Sequence, residues 1–239
     1  MRYRYIIPFA ISLLSLASCI NEGIREKEEG LVDINVTACI VGNPDTKTYM
    51  GTLDETGSPS IYPVLWSAGD AIGLITGGGA TKVTLSGGAG TNKGTFGGKA
   101  SDIVAPFPGT TLYPAAYPAK NAFANISGEK ILVGSYLPYI QTYKSGTFAD
   151  NVYPMASLSA SQGAQYDFYN LCGVIQLAIK ANGDGDAKNQ IRALYLTGNN
   201  HEALAGGVGM NFDISTGKPV VSTLEKDGPD ATVKPDTAT

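Results

Sequence analysis

Residues 31–41 read LVDINVTACIV, and in them Val32, Ile34, Val36, Ala38 and Ile40 share one parity while Asp33, Asn35 and Thr37 take the other. A period of two puts alternate side chains on opposite faces, the pattern of a half-buried strand. Further strand-like runs follow: IYPVLW at 61–66, AIGLIT at 71–76, TKVTL at 81–85, TLYPAAY at 111–117 and KILVGSYL at 130–137, then 165–180, 190–197 and 204–213. Gly, Pro, Asn and Ser clusters separate them, and NGDGDAKN reads as a turn between the runs at 165–180 and 190–197. No segment carries a helical period, and no repeat in the range of roughly 20–50 residues is present. Thirty Gly, 13 Pro and 13 Tyr suit short strands joined by turns. The expected fold class is all-β, with strand spacing that suits a β-sandwich.

Ahead of the first strand, Arg2 and Arg4 precede an apolar run from Ile6 to Leu16, followed by Leu16-Ala17-Ser18-Cys19. The run has the length of a secretory h-region and falls short of the roughly 20 apolar residues a spanning helix needs. Small residues before a cysteine resemble a lipobox. Cleavage between Ser18 and Cys19, with diacylglycerol on the thiol and an acyl chain such as palmitate on the freed amine, is the expected processing. Each buried CH₂ contributes about 0.8 kcal/mol, so several chains make a durable anchor. Residues 20–30, INEGIREKEEG, are charged and without apolar period, as expected of a solvated tether. Its acids Glu22, Glu26, Glu28 and Glu29 resemble surface-export signals that follow the lipidated cysteine in some anaerobic Gram-negative bacteria.

Removing the first 18 residues takes away two arginines and no acid, leaving 15 basic against 21 acidic residues and a formal charge of −6. That balance points away from nucleic acid. The remaining 221 residues suffice for one large or two small cores. Cys39 and Cys172 both fall in apolar runs and are expected to act as small buried hydrophobes without a disulfide. The polar stretch SLSASQG, 157–163, is the expected boundary between domains.

Motifs that would carry catalysis or metal binding are broken. The Gly-rich stretch 75–99 lacks a phosphate loop, because Gly98-Lys99 is followed by Ala100 and Lys93 stands where the first glycine belongs. Gly turns between strands explain it. Asp184 and Asp186 begin a calcium-loop spacing, but Lys188 takes the next ligand position and no acid closes it. His201 is the single histidine and sits in a turn-like GNNHEALAG, which leaves little for a zinc site or a triad. No catalytic residue, metal ligand or cofactor is therefore expected. Tyr136, Tyr139, Tyr143 and Tyr153 form an aromatic cluster; as strand-pairing residues they are structural, and as exposed rings they would suit a surface glycan-binding lipoprotein of a polysaccharide-uptake system.

Several stretches together resemble the fimbrillin family, lipoprotein subunits of the pili and surface fibres of anaerobic Gram-negative commensals. Trp66-Ser67-Ala68-Gly69-Asp70-Ala71-Ile72-Gly73 is similar to its Trp-x-x-Gly-Asp-x-Ile-Gly signature, and Leu112-Tyr113-Pro114 with Tyr117-Pro118 to its Tyr-Pro strand. Gln141-Thr142-Tyr143, Pro154-Met155, Phe168 to Ile175 and Leu194 to Asn200 follow in the family's order. Physically, Trp66 reads as a core anchor and Gly69-Asp70 as a tight turn. The resemblance implies transthyretin-like β-sandwich domains, assembly with other fimbrillin-type subunits by strand addition, and adhesion to host or glycan ligands. Two departures stand out. The chain ends in a polar tail after Leu224, where relatives continue with more strands, so the second sandwich is expected to be incomplete. At Asp45-Thr46-Lys47-Thr48, lysine stands where many relatives carry the arginine of a maturation cut; Arg25 is the alternative site.

The expected organisation is thus a signal peptide at 1–18, a tether at 19–30, an N-terminal β-sandwich at 31–160 and a partial C-terminal sandwich with tail at 161–239. The expected protein is a non-enzymatic lipoprotein of the outer membrane, exposed at the surface, serving as a pilus subunit or its anchor.

Overall fold

The computed structural model describes residues 32–41, 49–50, 63–100, 104–175, 177, 179, 191–198 and 204–220. Among them the chain is all-β: β1 Val32–Ile40, β2 Tyr49–Met50, β3 Val64–Leu65, β4 Ala71–Thr76, β5 Gly79–Gly87, β6 Lys93–Ala100, β7 Tyr113–Tyr117, β8 Phe123–Ser127, β9 Lys130–Leu137, β10 Met155–Ser159, β11 Tyr166–Asn170 and β12 Gly206–Asp213. No helix in these residues is long and apolar enough to cross a membrane.

Seven strands close into a barrel in the order β1-β11-β10-β7-β4-β5-β6. Its pairings are antiparallel apart from β1 with β11, which run parallel from Ala38↔Tyr166 to Ile40↔Phe168. A three-stranded sheet, β12-β9-β8, is separate, and β2 pairs with β3. The alternation read in β1 is realised from Ile34 onward: Ile34, Val36, Ala38 and Ile40 are buried while Asp33 and Asn35 are exposed, and Val32 at the start of the strand, expected on the buried face, is exposed too. Each of its larger inward side chains contributes roughly 1.5–3 kcal/mol by leaving water.

Strands β7 and β10 do not alternate, because both of their faces are covered. Ala115, Tyr117 and Met155 belong to the interior cluster, whereas Ala116 and Ala156 pack against Ile131, Val133 and Phe212 of the three-stranded sheet. Alanines suit strands with neighbours above and below. Within the smaller sheet, a Cβ on Gly134 would lie 2.0 Å from the Val208 carbonyl oxygen and 2.8 Å from the Phe123 ring, so only glycine lets β9 and β12 approach this closely.

Several expectations need correction. The run at 61–66 yields only the two-residue β3, while β4 keeps its limits and the run at 81–85 is the middle of a longer β5. Strands β6, β8 and β10 carry too weak an alternation to be read from sequence. Within the Gly-rich stretch assigned to turns, Lys93–Ala100 is a strand, and its glycine has a packing cause. A Cβ on Gly94 would meet Leu85, Phe96 and Trp66 at 2.6–3.0 Å, so these three side chains together occupy the space a side chain there would fill. The polar stretch 157–163 contains the end of β10 and the turn into β11. Strand pairing continues across residue 160, since β11 pairs with β10 and with β1. Of the run at 165–180, Tyr166–Asn170 is a strand and the described residues beyond it, 171–175, 177 and 179, are not, and 191–198 lies outside any strand. A closed ring replaces two open sheets in this part of the molecule, because β1 bonds on both sides, to β6 and to β11.

Candidate functional site

The residues singled out from sequence, Trp66, Gly69 and Asp70, do come together. Trp66 follows β3 and is fully buried. Its indole N–H donates to the Asn92 carbonyl at 3.1 Å, and its ring meets Phe96, Tyr117 and Phe168 edge-on at centroid distances of 4.9, 5.8 and 5.6 Å. Edge-to-face pairs of this kind add about 0.5–1.5 kcal/mol each beyond area burial. The chain then turns on Gly69, whose φ of 90° lies where a Cβ would be strained. The Asp70 N–H closes the turn on the Ser67 carbonyl at 3.0 Å, and the Ser67 N–H donates back to the Asp70 carboxylate.

The carboxylate's other oxygen accepts the Tyr117 hydroxyl at 2.8 Å, across 47 residues of sequence. Asn151, held at φ 59°, brings its backbone close to that hydroxyl. Burial, and then the neighbouring Asp70 charge, push the Tyr117 phenol well above its ordinary value. It stays neutral and acts as a donor. After Tyr117 the peptide bond to Pro118 is cis, and the buried Ser135 hydroxyl bonds the carbonyls of Pro118 and Lys120 at 2.9 and 3.1 Å. The hydrogen bond between Asp70 and Tyr117 thus ties two separate segments, the turn before β4 and the end of β7, and the loop 138–154 lies beside it at Asn151.

Where these segments meet, an open cleft of about 600 Å³ is lined by Gly69 and Ala71, by Lys82 of β5, by Ala119 and Lys120, and by the loop residues Pro138, Ile140, Thr142 and Ala149 to Val152. The loop is braced by an ion pair between Lys144 and Asp150 and by Phe148 stacked on Tyr153 at 4.8 Å. Lys82, Lys120 and Asn151 were not singled out from sequence. Gly69, Thr142 and the Tyr117-Pro118 dipeptide were the local signals near them, and they say nothing of charge.

The aromatic cluster divides. Tyr153 is buried and Tyr136 half-buried, while Tyr139 and Tyr143 are 73% and 87% exposed on the loop. Cys39 and Cys172 are free, half-buried thiols. Burial raises both, Cys172 to about 11. Cys172 packs against the barrel interior, whereas Cys39 holds the outward parity of β1, opposite to the buried Ala38 and Ile40. No group of three or more His, Cys, Asp or Glu among the described residues is arranged to hold a metal ion. Asp70 and Tyr117 are occupied with each other inside the protein, and their role in this arrangement is positional. Ser18, Cys19, Arg25, Lys47, Asp184, Asp186 and His201 lie outside the described residues. No family model, curated protein or solved structure matches the chain.

Proposed function

We propose that the protein is a fimbrillin-type surface lipoprotein, anchored in the outer membrane by lipid on Cys19 and acting as a fibre subunit or its anchor in adhesion, without enzymatic activity. One observation supports this most. Strand β1, which follows directly on the charged leader in sequence, fills a slot between two strands, paired with β6 over eight register positions and with β11 over three. Its removal would expose the facing edges of β6 and β11 and the apolar channel left by Ile34, Val36, Ala38 and Ile40. Unpaired N–H and C=O groups beside such a channel accept a strand of matching alternation from another subunit. Without β1 the ring is an open sheet in the order β11-β10-β7-β4-β5-β6. We read its two curled halves as the faces of a transthyretin-like sandwich awaiting a donor strand.

Lys47 decides the role we assign. A pocket shaped for a planar guanidinium accepts a lysine ammonium poorly, so the chain is expected to keep β1 and to behave as a terminal, membrane-attached component. Digesting the protein and Lys47→Arg with an arginine-specific protease, then sizing the products, tests this. Resistance of the lysine form at residue 47, with cutting and oligomer growth in the arginine form, is the expected outcome. Efficient cutting of the lysine form followed by oligomer ladders overturns the anchor role in favour of a shaft subunit. A Cys19→Ala protein that is processed and membrane-bound like the wild type overturns the lipid anchor.

A further inference from the structure

The cleft beneath loop 138–152 carries chemistry that strand assembly does not use. Lys82 extends from β5, whose neighbour in register is Gly73 of β4. On the other flank of β4, the Ala119 N–H bonds the Ala71 carbonyl at 2.9 Å and sets Lys120 beside it. Gly73 makes this closeness possible, since a Cβ there would lie 2.9 Å from that of Ala122 and 3.3 Å from the Ala119 carbonyl oxygen. Lys82 and Lys120 therefore both line one cleft. Neither has a carboxylate partner among the described residues, and the acid in the lining, Asp150, is taken by Lys144. The chain as a whole carries a formal charge of −4, so this is a local cationic spot on an acidic protein, selective for an anion that can reach it.

The rest of the lining narrows the class of anion. Thr142 offers a hydroxyl and Asn151 an amide, the floor at Gly69, Ala71, Ala119 and Ala149 is small and apolar, and about 600 Å³ lies within the range of roughly 300–1,000 Å³ of small-molecule sites. Exposed Tyr139 and Tyr143 stand on the same loop beside the lining residues Ile140 and Thr142. They offer rigid amphipathic faces at low entropic cost. One wall of the cleft is fixed, because Asp70, the neighbour of Gly69, is bonded to Tyr117. We propose that the cleft binds an acidic saccharide, a short oligosaccharide bearing hexuronate, with its carboxylate at Lys82 and Lys120, its hydroxyls at Thr142 and Asn151, and a sugar face against the exposed loop tyrosines Tyr139 and Tyr143, which flank lining residues in sequence. This deepens the glycan-binding role weighed from sequence for the tyrosines. It rests on no part of the strand-addition reading, so a monomer that never assembles still tests it.

The test titrates the full chain, followed calorimetrically, with trigalacturonate, with neutral galactotriose and with hexaglutamate. Exposed charge pairs are individually weak, so a Kd on the order of 0.1–1 mM for trigalacturonate is expected, with the other two at least about tenfold weaker. Lys82→Gln with Lys120→Gln should weaken trigalacturonate at least about fivefold and Tyr139→Ala with Tyr143→Ala about threefold, each with unchanged Trp66 emission. If the double lysine variant loses that emission, the single substitutions are read instead, each expected to weaken binding about twofold. Equal binding of neutral and acidic sugars, hexaglutamate binding as tightly as trigalacturonate, indifference to the lysine substitutions, or no heat up to about 10 mM would each overturn the proposal.

Discussion

Two apolar stretches of this chain carry the same kind of pattern and meet different ends. In β1, Ile34, Val36, Ala38 and Ile40 are buried between β6 and β11. In the C-terminal half, Ile175, Leu177 and Ile179 also alternate, yet they are more than half exposed, as are Ile191, Leu194, Tyr195 and Leu196. Period two says that a segment can give one face to a core. Whether it does depends on a sheet edge offering both hydrogen bonds and a place for that face, and for β1 the ring supplies two such edges.

Substitutions should separate the two regions sharply. Trp66→Ala, which empties the centre of the ring and forfeits three edge-on ring contacts, is expected to cost roughly 3–5 kcal/mol in denaturant unfolding. Emission from the wild-type indole at the wavelength of a water-exposed tryptophan would break the comparison at its strongest point. Next in size, Tyr117→Phe removes the hydroxyl that donates to the buried Asp70 carboxylate and should cost about 1–3 kcal/mol. Asp70→Asn should cost a similar amount, and the pair in a double-mutant cycle less than their sum. Strict additivity would mean that the contact does not link the two segments.

High pH probes the same core without mutation. Burial raises Tyr153 to about 12 and Tyr117 and Tyr166 further still, against an ordinary value of 10. Above pH 10 the folded state then holds protons that the unfolded chain has lost. Stability is complete below pH 10 and drains as pH rises, at about 1.4 kcal/mol per pH unit for each tyrosine, until its folded value is passed. Unfolding measured from pH 9 to 12 alongside phenolate absorbance checks this. Early ionisation of all tyrosines with no loss of stability would contradict it. The smallest effect belongs to the exposed stretch: Ile175→Ser and Tyr195→Ser should each change stability by no more than about 0.5 kcal/mol. A cost near that of Trp66→Ala would show that these side chains are covered after all.

Local chemistry made part of this legible. Alternation located β1, and the apolar runs found β4, β9 and the start of β11. The Gly69-Asp70 turn and the burial of Trp66 follow from a backbone that needs positive φ beside a large apolar ring. Strand β6 was hidden because its glycines read as turns, and the packing reason for Gly94 is the crowding of Leu85, Phe96 and an indole 28 positions earlier in the chain. β10 was hidden because a strand covered on both faces loses its alternation.

By itself, then, the sequence determined the all-β class, the extension of β1, β4 and β9, the turn at Gly69-Asp70, and which aromatic residue must be inside. Those depend on backbone sterics and on apolar side chains leaving water, and neighbours in sequence suffice for both. Tertiary structure alone decided that β1 closes a ring through a parallel pairing with β11, that Asp70 meets Tyr117 from 47 residues away, and that Lys82 and Lys120 share a cleft with Asn151. These are choices among partners. A hydrogen bond or a charge has no preferred mate in the sequence until folding brings one edge, one carboxylate or one second ammonium within reach.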